Sequence, residues 1–339
     1  MTPRIRERQL WRFMRFLAWL PLPLATGLGA LIGDLITRIP LRYASAYRTV
    51  LINLLVTHPH MNFAQARVRG RASMRELARS LAEFAHVWIR PTQETLARIS
   101  VIHGEQAYLD ACASERPVLL LSLHQGSWET INLYLGNQPN TTIMYQPSSA
   151  SLLDAVVKSA RERTGSRLVP TNSLGVKEAL NTLRQGGSLG LLSDHNPGNR
   201  SNPYAPFFGH AVPTPALVDK LVRRFRPHVF LVSCYRGEGG LRDIQIYFEA
   251  APQIEQGDSE SAVLTALNAG LEACIRRNPD QYQWTYKRFK RKPGGRRLWY
   301  RQSYSLLKRA ARGDYDFRNA PSETSCRNDS AAKQKSKQE

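Results

Sequence analysis

The residues best placed to do chemistry lie in the stretch LLLSLHQGSWET, where His124 directly follows the apolar run 118–123 and Glu129 comes five positions later. A short apolar run of this kind reads as a buried strand, and functional groups in α/β sheets collect where such strands end. A histidine delivered into a loop, with a carboxylate just inside the next helix, can make a base–orienter pair. The carboxylate fixes the tautomer and stabilises the imidazolium. The neutral ring can then take a proton from a hydroxyl as that oxygen attacks a thioester. Taken alone, H-x4-E recurs often by chance, and a surface histidine near a helix start accounts for it equally well.

Two further groups could serve such chemistry. Arg161 and Arg163 close a predicted helix over 152–163, where they could supply charge for an oxyanion; arginines at a helix end also meet the helix dipole favourably without any such role. Backbone N–H groups near Gly126 are another oxyanion source. Asp194 and His195 follow a predicted strand over 189–193 and precede Pro197 and Gly198, so they could support the pocket or touch substrate, or simply form a polar strand end. Phe207 and Phe208, in APFFG, read first as core anchors and second as walls of an acyl channel. There is no GxSxG nucleophile elbow and no phosphate-binding GxxxxGK[ST] loop. Direct transfer in a ternary complex is therefore favoured over a covalent acyl-enzyme. No third ligand stands near Asp194 and His195, and Cys112, Cys234, Cys274 and Cys326 form neither a zinc pattern nor a disulfide framework, so neither metal nor cofactor is expected.

The elements that must hold these residues alternate. Strands are predicted over 118–123, 141–145, 167–169, 189–193, 229–235 and 244–248, and helices over 152–163, 176–184, 217–225 and 262–276, preceded by a long amphipathic helix over 64–96. This implies an α/β domain with a mixed sheet flanked by helices. At the amino terminus, Arg4, Arg6, Arg8, Arg12 and Arg15 precede an uncharged run over 16–33, the pattern of a hydrophobic membrane-anchoring helix. Pro21 and Pro23 would interrupt that helix, so a shallow or re-entrant insertion competes with a full span, and a buried core helix is the remaining possibility. Trp11 and Trp19 suit an interface, and Gly29 with Gly33 is a small-xxx-small pair. The division expected is an anchor over 1–40, one catalytic domain over 41–312 and a disordered polar tail over 313–339.

The formal net charge of +20 requires anionic partners, and charge alone does not choose among nucleic acid, lipid headgroups and an acidic protein. Much of the surplus sits in the basic C-terminal segment 287–312, which holds eleven Lys or Arg and no acidic residue, with Trp299 and Tyr300 interleaved. This segment could be a solvated face, a membrane-surface patch or a dock for an acidic protein.

In chain order, LHQGSWE, the helix-end RER at 161–163, SDHNPG at 193–198, APFFG at 205–209 and QYQWTYKRFKRKP at 281–293 together resemble the lipid A biosynthesis acyltransferases, over roughly residues 12–299. The resemblance implies transfer of a fatty acyl chain from acyl carrier protein to a hydroxyl on a glucosamine-based lipid. It also implies a place on the cytoplasmic face of the bacterial inner membrane, held by the amino terminus. His124 and Glu129 match the family's H-x4-D/E pair, as general base and its orienter. Arg161 and Arg163 match its basic pair after Y-x-P, here Tyr145, Gln146 and Pro147. Asp194 matches the first acid of its later D-x-D motif. Two departures, Asn196 where many members carry Asp and Gln146 in place of Arg, bear on the acceptor more than on the reaction.

Two rival readings remain at this point. An acyltransferase acting on a glycerolipid or amino-lipid is disfavoured in its glycerophosphate form, because that form spaces its histidine and acid by four. A non-catalytic basic protein on a membrane or polyanion would explain the charge but not the histidine at a strand end, and nucleic acid is not expected as a partner.

Overall fold

A computed structural model describes residues 3–147, 151–165, 167–197 and 202–319. The chain opens with four helices, α1 (Pro3–Trp19), α2 (Leu22–Arg38), α3 (Ser45–Thr57) and α4 (Phe63–Ile89), followed by the short α5 (Thr92–Leu96). Strands and helices then alternate through β1 (Ile99–His103), α6 (Glu105–Cys112), β2 (Val118–Ser122), α7 (Trp128–Gly136), β3 (Thr141–Tyr145), α8 (Ser151–Glu162), β4 (Arg167–Pro170), α9 (Ser173–Arg184) and β5 (Ser188–Leu192). A hairpin of β6 (Tyr204–Phe207) and β7 (His210–Pro213) leads into α10 (Ala216–Phe225), β8 (His228–Arg236), β9 (Ile244–Ala250), α11 (Pro252–Glu255) and α12 (Glu260–Arg277). A two-residue-stranded hairpin, β10 (Arg291–Lys292) and β11 (Gly295–Arg296), precedes α13 (Ser303–Ala310). The helix expected over 64–96 stops at Ile89, because Pro91 holds Arg90 in extended backbone.

One seven-stranded sheet runs in the order β1-β9-β8-β2-β5-β3-β4. All neighbours are parallel except β8 and β9, so the sheet is mixed as expected. Because side chains alternate across a strand, β2 serves two cores. Leu119, Leu121 and Leu123 join one, with Leu189, Leu191, Val229 and Leu231. Val118 and Leu120 join the other, with Ile143, Phe230 and Val232. Burial on both faces explains the unbroken apolar run of this central strand. The chain leaves β2 toward β3 on one side and leaves β5 toward β8 on the other. The crevice between their carboxyl ends is therefore a topological switch point.

The amino-terminal run 16–33 is two helices, not one. Pro21 supplies the N-cap of α2 and cannot continue α1. No described helix is long and apolar enough to cross a membrane, so the membrane-anchoring helix expected over 16–33 is not seen as a spanning element. α2 packs on α4 through Ala25, Gly29 and Gly33. A Cβ at Gly29 would lie 2.5 Å from the Ala78 carbonyl oxygen, and one at Gly33 2.5 Å from that of Met74, so the small-xxx-small pair sets this close approach. Phe13, Phe16, Trp19, Leu24, Leu31 and Leu35 are left exposed.

The first residues of the polar tail expected over 313–339 are packed on the domain. Tyr315 Oη accepts from the Phe63 N–H at 2.8 Å, and Phe317 is buried with its carbonyl accepting from Trp299 Nε1 at 2.7 Å. The rest of that expectation, 320–339, lies outside the described residues.

Candidate active site

Ser122 of β2 is registered with Leu192 of β5, and the Ser193 N–H donates to the Ser122 carbonyl at 2.8 Å, so the two chains leave the sheet side by side. His124 and Asp194 each lie two residues beyond that registered pair, and they meet. Nδ1 of His124 is 2.9 Å from Asp194 Oδ1, and the His124 backbone N–H donates to Oδ2 at 3.0 Å. Asp194 is 3% exposed whereas the His124 side chain is 32% exposed, so a buried carboxylate stands behind an accessible ring. An ionised carboxylate only accepts hydrogen bonds. Nδ1 therefore carries the proton, and Nε2, which has no hydrogen-bond partner among the described residues, keeps the lone pair.

The loop that carries His124 is fastened from three directions. Gly126 N–H donates to the Gln281 carbonyl at 2.9 Å, and Gln283 N–H donates to the His124 carbonyl at 3.0 Å, which straps the QYQW segment across the loop. Gln125 Nε2 donates to the Asn278 carbonyl at 2.8 Å. Ser80 Oγ of α4 donates to the Gly126 carbonyl and accepts from Arg236, each at 3.0 Å, and Arg236 is paired with the buried Glu83 at 2.8 Å. Gly126 takes φ +58, and a Cβ there would collide with the Cys234 carbonyl oxygen, so only glycine fits this turn. The Gly126 N–H is spent on Gln281, which removes it from the oxyanion donors expected near that glycine.

Glu129 does not meet His124 Nδ1. It lies in the first turn of α7, 2% exposed, and grips Arg161 of α8 by two oxygens, with Arg161 Nε 2.9 Å from Oε2 and a second guanidinium nitrogen on Oε1. The carboxylate hydrogen-bonded to His124 is thus Asp194 and not Glu129 as expected. Position 129 projects from a helix, whereas Asp194 leaves the adjacent parallel strand in register. Arg163 points elsewhere. Its guanidinium caps the end of α4, donating to the carbonyls of Val87, Trp88 and Arg90, each at 3.1 Å, so of the two arginines only Arg161 joins the site.

The electrostatics follow from this arrangement. Burial disfavours the imidazolium, but the Asp194 charge and hydrogen bond, aided by Glu129, outweigh burial and the opposing Arg161, and hold His124 above the ordinary histidine value. Burial pushes the Asp194 carboxyl up, yet the His124 ring and its two N–H donors bring it down to about 2. Burial also raises Glu129, but Arg161 more than compensates and keeps it ionised. His195 is turned aside, Nδ1 on the Leu192 carbonyl at 2.9 Å, and burial lowers its pKa. Asn196 uses its backbone N–H on Tyr286 Oη at 2.8 Å, and its Oδ1 accepts from the buried Arg288 at 2.8 Å. Phe207 is fully buried against Phe289, a core anchor as first read. Sequence reading had no sign of Gln281, Gln283, Ser80 or Arg236 as loop fasteners. The QYQW motif was visible, but its work is done by backbone groups.

A neutral imidazole with one ring nitrogen held by a buried carboxylate and the other accessible has the chemistry to take up a proton, in the crevice where α/β sheets bind ligands. The model of the family described as bacterial lipid A biosynthesis acyltransferase matches residues 10–291, and the chain belongs to that family. Relatives include the lipid A biosynthesis lauroyltransferase of Escherichia coli (strain K12), 25% identical over 81% of this chain and 88% of its own length. The palmitoleoyltransferase of the same strain is 23% identical over 84% and 90%, and its myristoyltransferase 24% over 74% and 77%.

Proposed function

We propose that this chain is an O-acyltransferase that moves a fatty acyl chain from acyl carrier protein to a hydroxyl of a lipid A precursor, with His124 as general base and Asp194 as its positioning residue. The observation that carries the reading is the accessible His124 ring backed by a buried carboxylate, in a member of a lipid A acyltransferase family. Nε2 takes the hydroxyl proton as the acceptor oxygen bonds to the thioester carbon. The carbon–sulfur bond then breaks, and the imidazolium returns the proton to the departing thiolate. Arg161, whose charge is felt at His124, is a cation available for the negative charge that builds on the carbonyl oxygen. Glu129 holds that guanidinium in place.

The same reading puts the protein on the inner-membrane surface rather than through it. The exposed faces of α1 and α2 combine large apolar side chains with Arg8, Arg12, Arg15 and Arg38, the composition of helices that lie in a headgroup interface. Acyl transfer by isolated membranes, using acyl-carrier-protein donors and a tetra-acylated lipid A precursor, tests the proposal. His124→Ala is expected to cut the rate by about 10²–10⁴-fold with an unchanged fold. Full activity in that variant would overturn the assignment of the base.

A further inference from the structure

We infer that the hairpin of β10 and β11 forms a phosphate seat. A cavity of about 260 Å³ opens between this hairpin and β6, lined by Tyr204, Arg291, Gly295 and Arg296. Pro293 and Gly294 occupy the two central turn positions, and Gly294 takes φ +75, the type II geometry that sets the two short strands back to back. Arg297 braces the hairpin from within, donating to the Arg291 carbonyl at 2.5 Å and the Ala211 carbonyl at 2.9 Å. Arg297 therefore builds the turn, while Arg291 and Arg296 line the cavity.

Charge decides what fits. Neither Arg291 nor Arg296 forms an ion pair among the described residues, whereas Arg116, Arg223 and Arg309 do. The segments that supply the walls, 196–213 and 287–312, contain no Asp or Glu at all. Two guanidinium groups beside one cavity repel each other until an anion arrives. Paired N–H forks with a phenol hydroxyl match the tetrahedral oxygens of a phosphate better than a single carboxylate.

The seat also connects to the dyad. Tyr204 is paired with Pro213, whose carbonyl accepts from Arg288 at 2.5 Å, and the same Arg288 nitrogen donates to Asn196, two residues from Asp194. An acid at 196 would neutralise Arg288; the asparagine leaves this stretch positive. The family match ends at Arg291, so the second strand of the hairpin lies beyond the matched segment. The ligand is a phosphate group carried either by the acceptor lipid or by the prosthetic arm of the acyl donor. That choice of sources rests on the proposed acyl transfer, whereas the seat itself does not.

The test uses the full chain in detergent and the double variant Arg291→Ala, Arg296→Ala, with its melting temperature checked. Binding of inorganic pyrophosphate, followed by calorimetry, is expected in the wild type and lost in the double variant. In steady-state transfer the double variant is expected to raise one KM by about tenfold or more, the effect of losing one charge-assisted contact, with kcat within about twofold. If the acceptor KM rises, and rises less with an acceptor lacking one phosphate, the ligand is the lipid. If only the donor KM rises, it is the carrier's arm. Equal pyrophosphate binding by both proteins overturns the seat. So does a loss confined to adhesion on phosphatidylglycerol vesicles with both KM values unchanged. A wild type that binds pyrophosphate but transfers no acyl group sinks the proposed function and leaves the seat standing.

Discussion

Asp194 accepts two hydrogen bonds from one residue, His124, through its ring nitrogen at 2.9 Å and its backbone N–H at 3.0 Å, so a single carboxylate sets both the position of the loop and the tautomer of the ring. Replacing it with asparagine keeps the shape and removes the charge. Without that charge the imidazolium loses its main support, and burial, which disfavours it, is left less opposed. In the proposed mechanism the active form is the neutral ring, so transfer is expected to rise with pH through the His124 pKa, which lies above the ordinary histidine value. In Asp194→Asn that inflection is expected to move to lower pH. The plateau should fall by roughly 10²-fold or more, because the amide can also stabilise the wrong tautomer. A pH–rate profile of both proteins checks this, and an unmoved inflection would refute the positioning role.

Glu129 and Arg161 are 3% and 13% exposed, so breaking the pair strands a charge in the interior. Glu129→Gln is expected to cost about 3 kcal/mol at neutral pH. The sign with pH follows from the depressed Glu129 pKa. Its contribution is fully present above the ordinary carboxylate value and is lost as pH falls through the depressed folded value. Melting curves of wild type and variant should therefore converge on acidification. A constant gap across that range would show that the pair's charge is not what stabilises it.

The sheet and the histidine were legible because both are local. The run 118–123 announces a doubly buried strand, and the residue after it emerges at a strand end. Gly29 and Gly33 likewise marked a helix-packing face, whose partner α4 only the structure supplies. The partner of His124 was not legible, because it depends on β2 and β5 being neighbours, an order that skips β3 and β4 in sequence. Glu129 was nearer along the chain and so drew the assignment. Arg161 and Arg163 look alike as sequence; two residues along a helix end turn one toward α7 and the other onto the end of α4.

The apolar face of α1 and α2 predicts how the protein meets lipid. Trp19, Leu24 and Leu31 are 77%, 61% and 54% exposed, more than isolated surface residues require. Changing all three to serine is expected to weaken binding to anionic vesicles by at least about tenfold, since 1.4 kcal/mol suffices for that factor and each side chain can bury more. Their exposure means that the melting temperature should hardly change. Vesicle flotation checks the prediction, and undiminished flotation would place the lipid contact elsewhere.

Gly33 offers the last prediction, on whether the same helix needs its seat on α4. A side chain at this position would press on the Met74 carbonyl and on the Arg75 Cα, both backbone atoms that cannot swing aside. Gly33→Val is therefore expected to lift the carboxyl end of α2 from α4. It should also loosen Asp34, which bridges Arg71 and Arg75 of α4 at 2.9 and 3.4 Å. The expected loss is about 1–3 kcal/mol, the usual effect of forcing bulk into a packed contact. Limited proteolysis should then cut between α2 and α3 sooner than in the wild type. His124 lies at the other end of the long contact chain through Ser80 of α4 and Gly126, so kcat should fall far less than stability. Proteolysis at the wild-type rate would mean that α2 tolerates the added bulk and that its glycines are not what holds it on α4.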